Sequence, residues 1–246
     1  MGWNMKKKKD AQSDIWKLLI GLAGFLALFL VLLYGASFSA RSRDQIIFAK
    51  NLDSVAVTVD GRQLRLSDLL FYVAYVESNV ESKAKVYDAE NTRNFWNIHV
   101  NGTFIQEDAK NSIIGMAIHD EIFYQEALQA GVVLTGDEKE QLEEAWTDFW
   151  SDMSEVQQEK MPASYEVVNH TIEKAALAEK YQEKLAEKMG VSFHKLDWND
   201  AAFEEIKEEH EVRINTGVWE RVVVGNITLQ HGTPQYAPAP LKKDGK

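Results

Sequence analysis

Acid–base or metal chemistry needs imidazoles and carboxylates at set spacings, and the six His at 99, 119, 170, 194, 210 and 231 are scattered. His119-Asp120-Glu121 places three ligand-type side chains in a row. It is not HExxH, in which two His one helical turn apart bind zinc and the Glu between them acts as base. Partners from elsewhere would have to complete a metal site, and a solvated helix face is the plainer account of this triplet. The chain has no Cys, which removes thiol nucleophiles, thiolate ligands and disulfides. It has neither a phosphate-cradling Gly loop nor GxSxG. Glu143–Glu144 and Glu204–Glu205 are adjacent, so on a helix each pair diverges and cannot act as a catalytic dyad. No catalytic residue, cofactor or metal is therefore expected.

The side chains suited to binding are apolar. Trp146, Phe149, Trp150 and Met153 recur at i, i+3, i+4 and i+7, one face of a helix. Aromatic and Met-lined surfaces are non-directional and repack around many sequences, which suits the capture of unfolded polypeptide. Ordinary core packing against a neighbouring helix is the plainer account of the same stripe. Phe95 and Trp96, in a connector, form a second candidate lip.

The elements that must position these residues begin with an apolar run. Leu18 to Tyr34 carries no charge and, at about 1.5 Å per residue, approaches the thickness of a bilayer core. Trp16 and Tyr34 fall where interfacial aromatics belong, and Lys6 to Lys9 precede the run, which places the N-terminus on the cytoplasmic side. A cleaved signal peptide is the alternative. The length of the run, and Phe38 two residues before Ala40, favour an uncleaved anchor. Both readings export the remainder, and the absence of a Cys after the run excludes a lipid-modified N-terminus. The expected organisation is a cytoplasmic tail (1–14), a transmembrane anchor (15–36), an extended spacer (37–53), a mainly helical domain (54–229) and a disordered tail (230–246).

The formal net charge is −11, with five of the 27 Lys and Arg lying before residue 41. The part beyond the anchor is therefore still more acidic than the whole, which repels nucleic acid and anionic lipid. Within it, Val55 to Val59 is a β-branched strand ending at Asp60-Gly61, a strong hairpin signal, with Gln63 to Leu66 returning. Ser67 is the expected cap of a helix over 68–86. Thr103 and Gln106 have the spacing of a capping box for a helix ending at Gly131. Thr135 and Glu138 have the same spacing, opening a helix to about Glu159. Ser164 caps a helix to Met189, stopped by Gly190. A helix over 200–210, a strand at 211–215 and a possible strand at 221–229 complete the domain.

VAVTVDGRQLRLSDLLFYV (55–73) resembles the opening of extracytoplasmic foldases of the SurA/PrsA type, with strand, turn, strand and long helix. TFIQEDAKNSIIGMAIHDEIFYQEALQAGVVLTGDEKEQLEEA (103–145) and YEVVNHTIEKAALAEKYQEKLAEK (165–188) are similar to the helices that follow in that family. HEVRINTGVWERV (210–222) is similar to the strand that closes its chaperone domain. The resemblance covers about 54–223 and implies that the first and last strands lie together, with Val55–Val59 or its hairpin partner near Val212–Asn215. In the full family a parvulin prolyl-isomerase domain lies between the last two pieces. Here only 191–199 stands in that place, too short for a core or an active site. The resemblance thus implies a membrane-anchored, extracytoplasmic bacterial chaperone that holds unfolded or newly exported polypeptides without ATP and without isomerase activity. The rivals are a non-catalytic adaptor in an envelope complex and a family member that keeps weak isomerase activity.

Overall fold

The computed structural model describes residues 45–100 and 102–230. The tail 1–14 and the anchor 15–36 lie outside the described residues, as does the C-terminal tail from 231 on. Among the described residues no helix is long and apolar enough to cross a membrane.

Strands β1 (Val55–Val59) and β2 (Arg62–Arg65) form an antiparallel hairpin in which Val59 faces Arg62. The two turn residues both have positive φ, Asp60 at 47° and Gly61 at 82°, the primed turn that follows strand twist and that Asp-Gly encodes. The far side of β1 pairs antiparallel with β5 (Val212–Ile214), Val57 facing Ile214 and Val59 facing Val212. The sheet order is β2-β1-β5, so the early and late strands meet as expected. Ala56, Val57 and Val59 are fully buried beneath the helices.

The folded unit starts upstream of the expected boundary at 54. Phe48 is buried in a 3₁₀ turn (Phe48–Lys50), Ile46 N–H donates to the Arg221 carbonyl (3.1 Å) and Ser67 N–H to that of Leu52 (3.0 Å). Residues 46–53 are thus part of the domain and not a spacer. A second 3₁₀ turn (Leu66–Leu69) leads into α1 (Leu70–Tyr87). Ser67 is not its cap; Asp68 Oδ2 instead accepts the Arg65 N–H (2.7 Å).

The connector after α1 holds a short helix α2 (Arg93–Trp96) and a small hairpin of β3 (His99–Val100) and β4 (Thr103–Phe104). The long helices α3 (Ile105–Gln129) and, after two intervening helices, α6 (Tyr165–Met189) pack along one another as the central pair, with α1 against α3. Both stop where the backbone turns left-handed, at Gly131 and Gly190. Ile113, Ile122 and Phe123 of α3 and Val168 and Ala178 of α6 are fully buried in the core. Each large side chain of this kind contributes about 1.5–3 kcal/mol. The capping box expected at Thr103 and Gln106 is not formed. Gln106 is buried and donates to the Val224 carbonyl (2.7 Å), a partner 118 residues away.

The box at Thr135 is formed: Glu138 N–H donates to Thr135 Oγ1 (3.3 Å), and Thr135 N–H to Glu138 Oε2 (2.6 Å). It opens α4 (Gly136–Asp152), which ends seven residues before the expected Glu159. There a second box intervenes, Ser154 with Gln157, and starts α5 (Glu155–Lys160). Asp200 caps α7 (Ala201–Lys207), and α8 (Thr216–Trp219) follows β5.

No strand forms over 221–229. The donors a neighbouring strand would have satisfied go to one buried carboxylate on α1. Glu77 Oε1 accepts from Gly225 N–H (2.7 Å) and Ile227 N–H (3.0 Å); Oε2 accepts from Thr228 N–H (2.7 Å) and Thr228 Oγ1 (2.6 Å).

Candidate functional site

His119, Asp120 and Glu121 are not on a solvated face. His119 is 6% and Glu121 2% exposed and Asp120 is half-buried, because neighbouring elements pack against this turn of α3. His119 Nε2 donates to the Leu196 carbonyl (3.0 Å), and its Nδ1 is within hydrogen-bond distance of Asp120 Oδ1 (2.7 Å). The other Asp120 oxygen accepts from the Tyr72 hydroxyl (2.9 Å). Burial first, and then the Asp120 charge, holds that phenol well above its ordinary value of 10, so Tyr72 remains a donor. Glu121 pairs with the Lys174 ammonium through one oxygen and accepts from Gln125 Nε2 through the other (3.0 Å). These groups border a cleft of about 440 Å³ between β2, α1, α3 and α6. Of the three carboxylates that line it, Asp120 and Glu121 have both oxygens engaged, and Asp68 Oδ2 accepts the Arg65 N–H. Among the described residues no group of three or more His, Cys, Asp or Glu converges to hold a metal.

The aromatic stripe behaves differently. Only Leu142 of the 17 residues of α4 is buried. Trp146, Phe149 and Trp150 are half-buried, one side against the core and the other toward solvent. Trp146 and Trp150 line a shallow, wide-open recess of about 600 Å³ with Tyr165, Glu143, Gln158 and Asn169. Trp150 donates its indole N–H to Asn169 Oδ1 (2.9 Å), and its ring lies 4.0 Å from that of Tyr165, which is 54% exposed. Phe149 continues the contact inward, 5.4 Å from Trp150 and 5.3 Å from Phe71 on α1. A line of rings thus runs from the recess to the core. The Trp146 indole N–H is buried with no hydrogen-bond partner among the described protein atoms.

No family model, no curated protein and no solved structure matches the chain.

Two of the expected binding residues are displaced from the surface. Met153 follows the end of α4 with an extended backbone and is 5% exposed, because the second capping box turns the chain inward before the stripe reaches it. Trp96 is 3% exposed. Its ring packs on Gly225, lying 2.8 Å from where a Cβ would stand, so φ of +95° and the absent side chain are both required there. Phe95 keeps a half-exposed position, 5.5 Å from the ring of Tyr87. Tyr87 and Val86, 64% and 90% exposed, end α1 beside it. The sequence reading also omits Tyr165 and Asn169. Ser164 makes no side-chain cap bond to α6, contrary to expectation; the i, i+4 spacing of Tyr165 and Asn169 in the first turns of that helix puts them on one face and is the signal that identifies them.

Proposed function

We propose that this chain is a tethered, ATP-independent holding chaperone of the SurA/PrsA kind, which shelters apolar segments of unfolded exported polypeptides. The observation that carries this reading is the half-buried aromatic line Tyr165–Trp150–Phe149, open to solvent at one end through a recess of about 600 Å³. Such a surface gives low specificity and modest affinity, as transient holding requires. The order strand, hairpin, helix, paired long helices and closing strand also supports the family reading. Membrane tethering and export rest on the sequence of 1–36. No covalent step is assigned to the chain.

The test is the aggregation of an unfolded client mixed with the purified full chain in mild non-ionic detergent. Suppression at stoichiometric amounts is the expected result, and unaltered aggregation overturns the proposal. A proline-peptide assay run alongside is expected to show no acceleration. The exposed pair Val86 and Tyr87 with Phe95 favours a second reading, docking to one fixed envelope partner. A pull-down that returns one stoichiometric partner in place of many clients would select it.

A further inference from the structure

The recess is lined by three aromatic rings, neutral polar side chains and one carboxylate, Glu143, and it borders a more acidic surface. Helix α4 carries seven Asp and Glu against one basic residue, Lys139. Glu143 and Thr147 line the aromatic recess and also an adjoining shallow depression completed by Glu140, Glu144 and Asp148. One side of the aromatic floor therefore opens onto a ridge of exposed carboxylates. Two cations near this face are engaged elsewhere: Lys180 pairs with Glu138, and Lys160 donates to the Leu229 carbonyl (2.7 Å). The indole and phenol faces of Trp150 and Tyr165 are themselves attractive to ammonium and guanidinium groups.

We propose that this recess takes polypeptide segments in which a Lys or Arg lies within a few residues of an aromatic or aliphatic side chain, and discriminates against segments of equal apolar content bearing Asp or Glu. The inference rests on the holding function proposed above and names its substrate class. Apolar burial on Trp146, Trp150 and Tyr165 supplies the sequence-tolerant part of binding. The carboxylate ridge supplies a charge preference that is weak per contact and screened by salt. Guests of this class would be captured and released without a chemical step.

The test uses the full chain in mild non-ionic detergent and two fluorescein-labelled peptides of about twelve residues, identical except that Lys in one is Glu in the other. Fluorescence polarisation is expected to show the Lys peptide binding about five- to tenfold tighter at low salt, with the gap narrowing at about 0.5 M salt. The variant Glu143→Lys with Asp148→Lys changes two exposed side chains and is expected to reverse the preference while its circular dichroism stays that of the parent. Equal binding of both peptides, unaltered in the double variant, overturns the charge preference and leaves the holding function standing. Binding of neither peptide overturns both.

Discussion

Glu77 is the residue on which the C-terminal part of the domain hangs. It is fully buried, and the four hydrogen bonds it accepts fix 225–228 against α1 without a strand. Bonds to a carboxylate are stronger than neutral ones, and a buried donor left unpaired costs its full desolvation. Glu77→Ala strands three backbone N–H groups, so unfolding free energy is expected to fall by about 3–5 kcal/mol in urea titrations. Glu77→Gln keeps one acceptor oxygen and is expected to lose less. A change below about 1 kcal/mol for the Ala variant would mean that the segment finds other partners. Gly225→Ala acts on the same segment through geometry, since its Cβ would meet Trp96 with φ held positive.

At the scale of elements, α4 is the part free to give way. The central pair is fixed by fully buried side chains along both helices, whereas α4 depends on Leu142, on half-buried rings and on its N-terminal box. Thr135→Ala removes one acceptor of that box and is expected to cost about 1 kcal/mol. In amide exchange the loss should appear as faster exchange over 136–152, with 105–129 unchanged; equal acceleration in both would show that α4 does not open separately. The same contrast explains what could be read from sequence. The Asp60-Gly61 turn, the Thr135 box and the two glycine stops are local signals whose partners lie within a few residues, and all are present. The 221–229 segment reads as a strand because its β-branched residues are visible, while the carboxylate that takes its donors lies 148 residues earlier at Glu77. Gln106 reads as a cap for the same reason, its true acceptor being far along the chain. The break at Asp152 is a local signal masked by a continuing helical period: Ser154 and Gln157 compete with the stripe and take Met153 out of it. Of the binding site, Trp146, Phe149 and Trp150 are legible from spacing, whereas the sealing of Trp96 depends on tertiary packing.

For the whole molecule, the ionisable groups set the pH range over which the fold holds. Asp60 lies below its ordinary 3.8 through its hydrogen bond with His210, against an opposing effect of burial and with help from the Glu211 N–H. Glu138 is drawn down to about 2 by Lys180 and then by the Thr135 N–H. A carboxyl held lower in the folded state binds fewer protons there. Its stabilisation is therefore present above about pH 4–5 and is lost as pH falls toward the folded value. Glu179 acts oppositely, raised by burial and then by Glu183 and Asp120, so its share is present below the unfolded value and declines as pH climbs through the folded one. At the alkaline end Tyr72 is raised by burial and Asp120, and Tyr181 by burial and Glu126. The folded state keeps these protons after the unfolded chain has released them, so stability falls as pH rises past about 10. Unfolding free energy against pH is thus expected to fall away at both ends, and the two ends have separate causes. Tyr72→Phe deletes the more strongly shifted phenol while leaving the Asp60 and Glu138 contacts intact. Denaturant titrations between about pH 3 and 11 should show its alkaline limb shallower than the parent's and its acid limb retained. An alkaline limb as steep as the parent's would mean that the buried hydroxyl of Tyr72 does not hold its proton against Asp120 in the folded chain.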